Sequence, residues 1–175
     1  ADGFEALVRA VLGQQVTLGR GLRLAGQLVS AVALPAPDWA PSGLTHLPLS
    51  AADVAAADLS MLGMPGARRR ALTAAAEAVA SGVVSFDAHA SRQAVRQALL
   101  AVPGIGPWTV DYVALRGLAD PDAFPIGDVA LQRGAANLGI DRAPLALLTR
   151  AEAWRPCRAI ATAHLWANAG NGVQP

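Results

Sequence analysis

The sequence predicts an all-α fold, and three observations carry that prediction. Alanine and leucine dominate the apolar residues over valine and isoleucine, a bias that suits helices and argues against a sheet. Apolar residues recur at helical spacing along most of the chain. No segment shows the two-residue alternation of a half-buried strand. With 53% hydrophobic residues over 175 positions, the chain is long and apolar enough for one substantial core or two small ones sharing a seam.

Residues 4–14, FEALVRAVLGQ, place Phe4, Leu7, Val8, Val11 and Leu12 on one helical face. After Gln14 and Gln15 a second helix is expected from Thr17 to Ala33, with Leu18, Leu22, Ala25, Leu28, Val29 and Val32 turned inward. Residues 34–49 hold four prolines and a glycine and read as an irregular connection. Ser50 with Asp53 forms an N-terminal cap and first-turn acid. A turn at residues 63–66 precedes a helix closed by Gly82. Ser91 opens a helix that ends near Ala101, and Pro107 suits the first position of the next, which runs to about Leu118. Residues 119–127 read as a loop, Asp128 opens a further helix, Thr149 to Glu152 fits a capping box, Pro156 restarts the helix and Gly170 stops it.

Composition narrows the chemistry. The single cysteine, Cys157, excludes an internal disulfide framework and a four-cysteine cluster, and His46, His89 and His164 are scattered. No cofactor requirement is expected. All 14 basic residues are arginine and lysine is absent, so no lysine amine can form a Schiff base. No apolar run reaches membrane-spanning length and no secretory leader is recognisable. The expectation is a soluble cytoplasmic protein without a membrane partner.

Between two predicted helices stands Val102-Pro103-Gly104-Ile105-Gly106-Pro107-Trp108-Thr109. Two glycines flanking one apolar residue open backbone torsions closed to other residues and clear side chains from the outer surface. The amides of Gly104 and Gly106, with the helix N-terminus at Pro107, can then converge on a phosphate without any charged side chain. Ile105 is expected to turn inward and tie the hairpin to its helices. The carbonyls of Leu100, Val102 and Gly104 offer a monovalent cation site, for sodium or potassium, that also touches the phosphate. A packing turn between helices is the plainer alternative.

Trp108 and Tyr112 are four residues apart and share a helical face, and Trp166 lies in the last helix. Aromatics at a cleft can stack on a nucleobase; Trp39 and Trp154 are assigned to the core. Asp128 is the carboxylate of interest: besides capping its helix, it can stabilise positive charge on a deoxyribose as the base departs and orient the attacking water. Asp111 reads as a surface residue. Arg116 and Arg133 fit either a phosphate-binding or a structural role.

The segments LLAVPGIGPWTVDYVALRG, DPDAFPIGDVALQRG, FEALVRAVLGQQVT and AEAWRPCRAIATAHLW together resemble the helix-hairpin-helix DNA glycosylase superfamily. They are similar in particular to its bacterial alkylation-repair branch, 3-methyladenine DNA glycosylase II, over essentially the whole chain. The resemblance implies a monomer of two helical subdomains flanking a cleft, residues 17–118 forming the hairpin-bearing one and residues 1–16 with 119–175 the other. The additional N-terminal mixed domain of the family is expected to be absent. It implies Asp128 as the catalytic aspartate, Trp108, Tyr112 and Trp166 as the base pocket, and Val102 to Pro107 with Thr109 as the grip on double-stranded DNA. Gln15 falls where the best-known member carries an apolar wedge. The expected reaction is hydrolysis of the N-glycosidic bond of flipped alkylated purines, 3-methyladenine and 7-methylguanine, leaving an abasic site. Two alternatives remain at this point: a glycosylase for uracil or mismatched thymine, and a hairpin module that binds DNA without chemistry.

Overall fold

A computed structural model describes residues 2–87 and 89–170. Within them nine α-helices and two short 3-10 turns follow one another, and the extended pairing is limited to an isolated bridge between Pro35 and His46. The helices are α1 (Gly3–Gly13), α2 (Leu18–Val32), α3 (Ala51–Ala56), α4 (Gly66–Ala80), α5 (Arg92–Leu100), α6 (Pro107–Arg116), α7 (Val129–Asn137), α8 (Pro144–Ala151) and α9 (Arg158–Ala167). The all-α prediction therefore holds.

Local chemistry explains most of the starts. Asp2, Thr17, Ser50, Ser91 and Asp128 each accept a first-turn amide at the head of α1, α2, α3, α5 and α7, satisfying donors that the helix itself leaves orphaned. Gly82 and Gly170, at φ +77° and +83°, follow α4 and α9 in the left-handed conformation that ends a helix. The capping box expected at Thr149 does not form. That residue lies inside α8 and donates to the Leu145 carbonyl at 3.0 Å, because Pro144 already supplies a favourable first position and Asp141 accepts the Ala143 amide ahead of it.

Two cores result. The larger gathers Leu7, Val11 and Leu12 of α1, Leu24 and Leu28 of α2, Leu72 and Ala75 of α4, Leu99 of α5 and Val113 of α6. The smaller gathers Phe124, Leu131, Ala135, Leu147, Ala151, Leu165 and Trp166. Tyr112 packs against both. The partition differs from the expected one: α1 lies within the hairpin-bearing core, touching α2, α4 and α6, instead of joining residues 119–170. Its apolar face is nearly all buried, and α2, α4 and α6 cover it together. Residue 1 and residues 171–175, the ends of the expected second subdomain, lie outside the described residues.

The face of α2 is also set by packing more than by its periodicity. Leu18 and Leu22 are 50% and 54% exposed, while Leu24 and Leu28 are fully buried. Gly21 lies against the backbone of Gly13, where an added Cβ would sit 3.5 Å from its Cα; this close approach turns the Leu24–Leu28 stripe toward α1. Trp39, expected in the core, is 84% exposed in the 34–49 connection, whereas Trp154 stacks edge-on against Phe124 at 6.0 Å. Among the described residues no helix is long and apolar enough to cross a membrane.

Candidate active site

The hairpin between α5 and α6 is fastened from beneath. Val102 and Ile105 are buried, and the Ile105 amide donates to the Val102 carbonyl at 3.1 Å. Gly104 takes φ +84°, and a Cβ there would lie 2.5 Å from the Ala71 Cβ of α4, so both torsion and space require glycine. Gly106 is different. Its backbone is extended, at φ −100° and ψ 174°, and a Cβ would meet nothing within 4 Å; the special torsion expected there is absent, and glycine at this position only keeps the outer surface bare.

That outer surface has unspent donors. No side chain caps α6, and among the described residues the amides of Gly104, Gly106 and Trp108 make no hydrogen bond within the protein. Pro103, Gly104 and Pro107 are exposed around them. A helix start with free amides and no cap can accept an anion. The side chains of Val102, Ile105 and Thr109 do not take part, since all three are buried.

Sequence reasoning missed Gln14. Its Nε2 donates to the Thr109 hydroxyl at 3.0 Å and to the Gly104 carbonyl at 3.4 Å, tying the α1–α2 loop to the hairpin. The adjacent pair of glutamines in an otherwise apolar stretch was the one available signal. Gln15 beside it is exposed and held at φ 54°, in the left-handed region. Of the carbonyls expected to hold a monovalent cation, that of Val102 receives the Ile105 amide and that of Gly104 receives Gln14, while Leu100 is the last residue of α5. Among the described residues no cluster of three or more His, Cys, Asp or Glu side chains is suited to a metal.

Asp128 stands at the seam of the two cores. Its Oδ2 accepts the indole N–H of Trp108 at 2.9 Å. Its Oδ1 accepts the Leu131 amide at 2.8 Å and the indole N–H of Trp166 at 3.1 Å. The carboxylate is thus within one side chain of the hairpin. Trp108, Tyr112 and Trp166 form a row, with ring centroids 5.6 Å and 6.2 Å apart. Trp108 and Tyr112 are half-buried, whereas Trp166 is only 8% exposed. The rings touch one another directly. Two shallow surface depressions, one bordered by Gln27 and Met61 and one by Asp58 and Arg70, lie apart from them.

The loop that presents Asp128 is clamped to α9. Arg158 grips Asp122 with two bonds of 2.7 Å, Arg155 adds a third, and the Ala159 amide donates to the Pro121 carbonyl at 2.9 Å. The Arg158 guanidinium beside Asp122 holds its carboxyl below the ordinary value. Asp111, read as a surface residue, is instead largely buried and paired with Arg96 of α5. Burial pushes its pKa up in spite of that partner.

Known proteins resemble this chain in sequence and fold. The chain is 42% identical over 165 residues to a protein of Mycobacterium tuberculosis named "Probable bifunctional transcriptional activator/DNA repair enzyme AlkA", covering 94% of this chain and 33% of that protein. It is 32% identical over 171 residues to the DNA-3-methyladenine glycosylase 2 of Escherichia coli, covering 97% of this chain and 58% of that one. The chain belongs to the helix-hairpin-helix DNA glycosylase superfamily. Within the superfamily it falls in the 3-methyladenine glycosylase II branch.

Solved structures of the superfamily agree in fold. A Schizosaccharomyces pombe 3-methyladenine DNA glycosylase in complex with abasic DNA superposes with a TM-score of 0.77 at 22% identity, over 94% of this chain and 79% of that one. The Bacillus halodurans DNA-3-methyladenine glycosidase does so with a TM-score of 0.72 at 25% identity, over 98% and 77%. No family model matches the chain. The chain spans between a third and three fifths of the length of the two curated relatives, 33% and 58%.

Proposed function

We propose that this chain is a monofunctional DNA glycosylase that hydrolyses the N-glycosidic bond of alkylated purines, 3-methyladenine and 7-methylguanine, flipped out of duplex DNA. The observation that carries the reading is Asp128, a carboxylate bonded to the first aromatic side chain after an uncapped helix start. The 3-methyladenine glycosylases among its relatives support the same reading.

The free amides of Gly104, Gly106 and Trp108 hold a backbone phosphate of the damaged strand, which positions the duplex without reading its sequence. Sodium or potassium at the carbonyls of Leu100, Val102 and Gly104 would add a cation to the same phosphate. Gln15 at the loop tip fills the gap left by the flipped nucleotide.

Of the two carboxylate oxygens, Oδ1 has two donors, the Leu131 amide and Trp166, and Oδ2 has one, Trp108. Oδ2 is therefore the oxygen freed at least cost when a nucleotide enters and Trp108 turns to stack on its base. As the C1′–N bond breaks, its electron pair leaves with the base and positive charge develops on the sugar, which the carboxylate stabilises. Water adds to C1′, and its proton passes to Oδ2 and on to solvent. An alkylated purine already carries positive charge and leaves readily, so aromatic stacking and one acid suffice. Without lysine in the chain, no Schiff base forms and the product is an abasic site. The reaction needs one copy of the chain, consistent with a monomer acting in the cytoplasm.

Asp128→Asn is expected to reduce single-turnover release of 7-methylguanine from duplex DNA by at least about 100-fold, with affinity for abasic DNA held within a few-fold. Base release is measured by chromatography. Near-normal excision by the variant would remove Asp128 from this role.

A further inference from the structure

Two arginines outside the site described above border the hairpin and the loop that carries Gln14 and Gln15. Arg20 is in the first turn of α2, directly after that loop. Its guanidinium donates to the Gly63 carbonyl, in the turn that leads into α4. Arg68 is in the first turn of α4, three residues before Ala71, the residue pressed against Gly104. Residues three apart on a helix share a face, so Arg68 flanks the hairpin on the side where α4 supports it. Gln14 ties the loop to the same hairpin.

Electrostatics within the protein do not account for either charge. A cation in the first turn of a helix opposes the helix dipole, and neither of these first turns holds an acid. Among the described residues neither guanidinium is in an ion pair. Both residues are half-buried, which holds their stems while the charged ends stay in reach of solvent. The acids nearby, Asp58 and Glu77, border a depression with Arg70 and Thr73, on the face of α4 turned away from Ala71.

On the glycosylase reading above, we propose that Arg20 and Arg68 form a second phosphate-binding patch for duplex DNA, continuous with the hairpin. The hairpin amides are uncharged donors, and the two guanidinia add the charge that it lacks. A guanidinium presents five N–H donors to phosphate oxygens, so the bond to Gly63 leaves Arg20 donors to spare. Continuity with the hairpin makes the occupant the same duplex and not a separate anion. Contacts of this kind position the DNA and carry no preference for the base removed.

The test is the salt dependence of binding to an undamaged duplex and to an abasic one, followed by fluorescence anisotropy. Arg20→Gln and Arg68→Gln should each lower the slope of log affinity against log salt by roughly 1, and the double variant by about 2. Both duplexes should weaken alike. Arg20→Lys and Arg68→Lys, which keep the charge, should restore the slope, whereas Arg70→Gln, on the opposite face of α4, should leave it at the wild-type value. An unchanged slope in the double variant, an equal fall in Arg70→Gln, or no restoration by lysine would overturn the proposal. Single-turnover release of 7-methylguanine at saturating enzyme separates this reading from the one it rests on. A wild type that releases no base, with a slope that falls in the glutamine variants, sinks the glycosylase reading and leaves the patch standing. A wild type that releases the base, with a slope that the double variant keeps, does the reverse.

Discussion

At the scale of single residues, the two glycines of the hairpin carry different burdens. Gly104 is in the left-handed region and pressed against Ala71, whereas Gly106 is extended and open. Gly104→Ala should therefore destabilise the protein by about 2–4 kcal/mol, combining torsional cost with overpacking, read as a drop in thermal midpoint. Gly106→Ala should leave that midpoint nearly unchanged. Loss of duplex affinity in this second variant would then report the closeness of the DNA strand to the backbone, undiluted by unfolding. Sequence alone treated the two glycines as equivalent, because the contact that separates them comes from a helix more than thirty residues away.

At the scale of elements, the position of Trp166 depends on how closely α7 and α9 approach. A Cβ on Gly134 of α7 would fall 1.8 Å from the Leu165 carbonyl oxygen of α9, so the contact is backbone against side-chain-free backbone. Gly134→Ala should push the helices apart at a cost of about 1–3 kcal/mol or more, and it should weaken the Trp166 bond to Asp128. Unfolding curves check the first effect, and base excision falling further than stability alone explains checks the second. Most helices and their caps were legible in the sequence, since a serine, threonine or aspartate before an apolar stripe acts through bonds within one turn. The faces of α2 and the false box at Thr149 were not. Both depended on which neighbour covered the helix, a tertiary matter that periodicity does not encode.

At the scale of the whole molecule, Tyr112 is the side chain shared by the two cores. Tyr112→Ala should cost about 2–3 kcal/mol, less than a fully buried aromatic because the ring is half-exposed. It should also broaden the unfolding transition as the halves lose their coupling, which calorimetry would reveal as a van't Hoff enthalpy below the calorimetric one. The sequence pointed to Asp128, Trp108 and Tyr112 through motif and spacing, and the structure brings them together. It did not assign α1 to its core, because an apolar face states that it must be covered and leaves open by what. It also passed over Gln14, whose partners lie ninety or more residues on.

The Trp108 indole belongs to the larger core and its acceptor Asp128 to the loop leading into the smaller one. Any motion that parts the halves must break that bond, and the emission of an indole shifts when it loses a charged acceptor. The protein thus carries an intrinsic optical gauge of its own opening, readable in stopped flow without an attached dye.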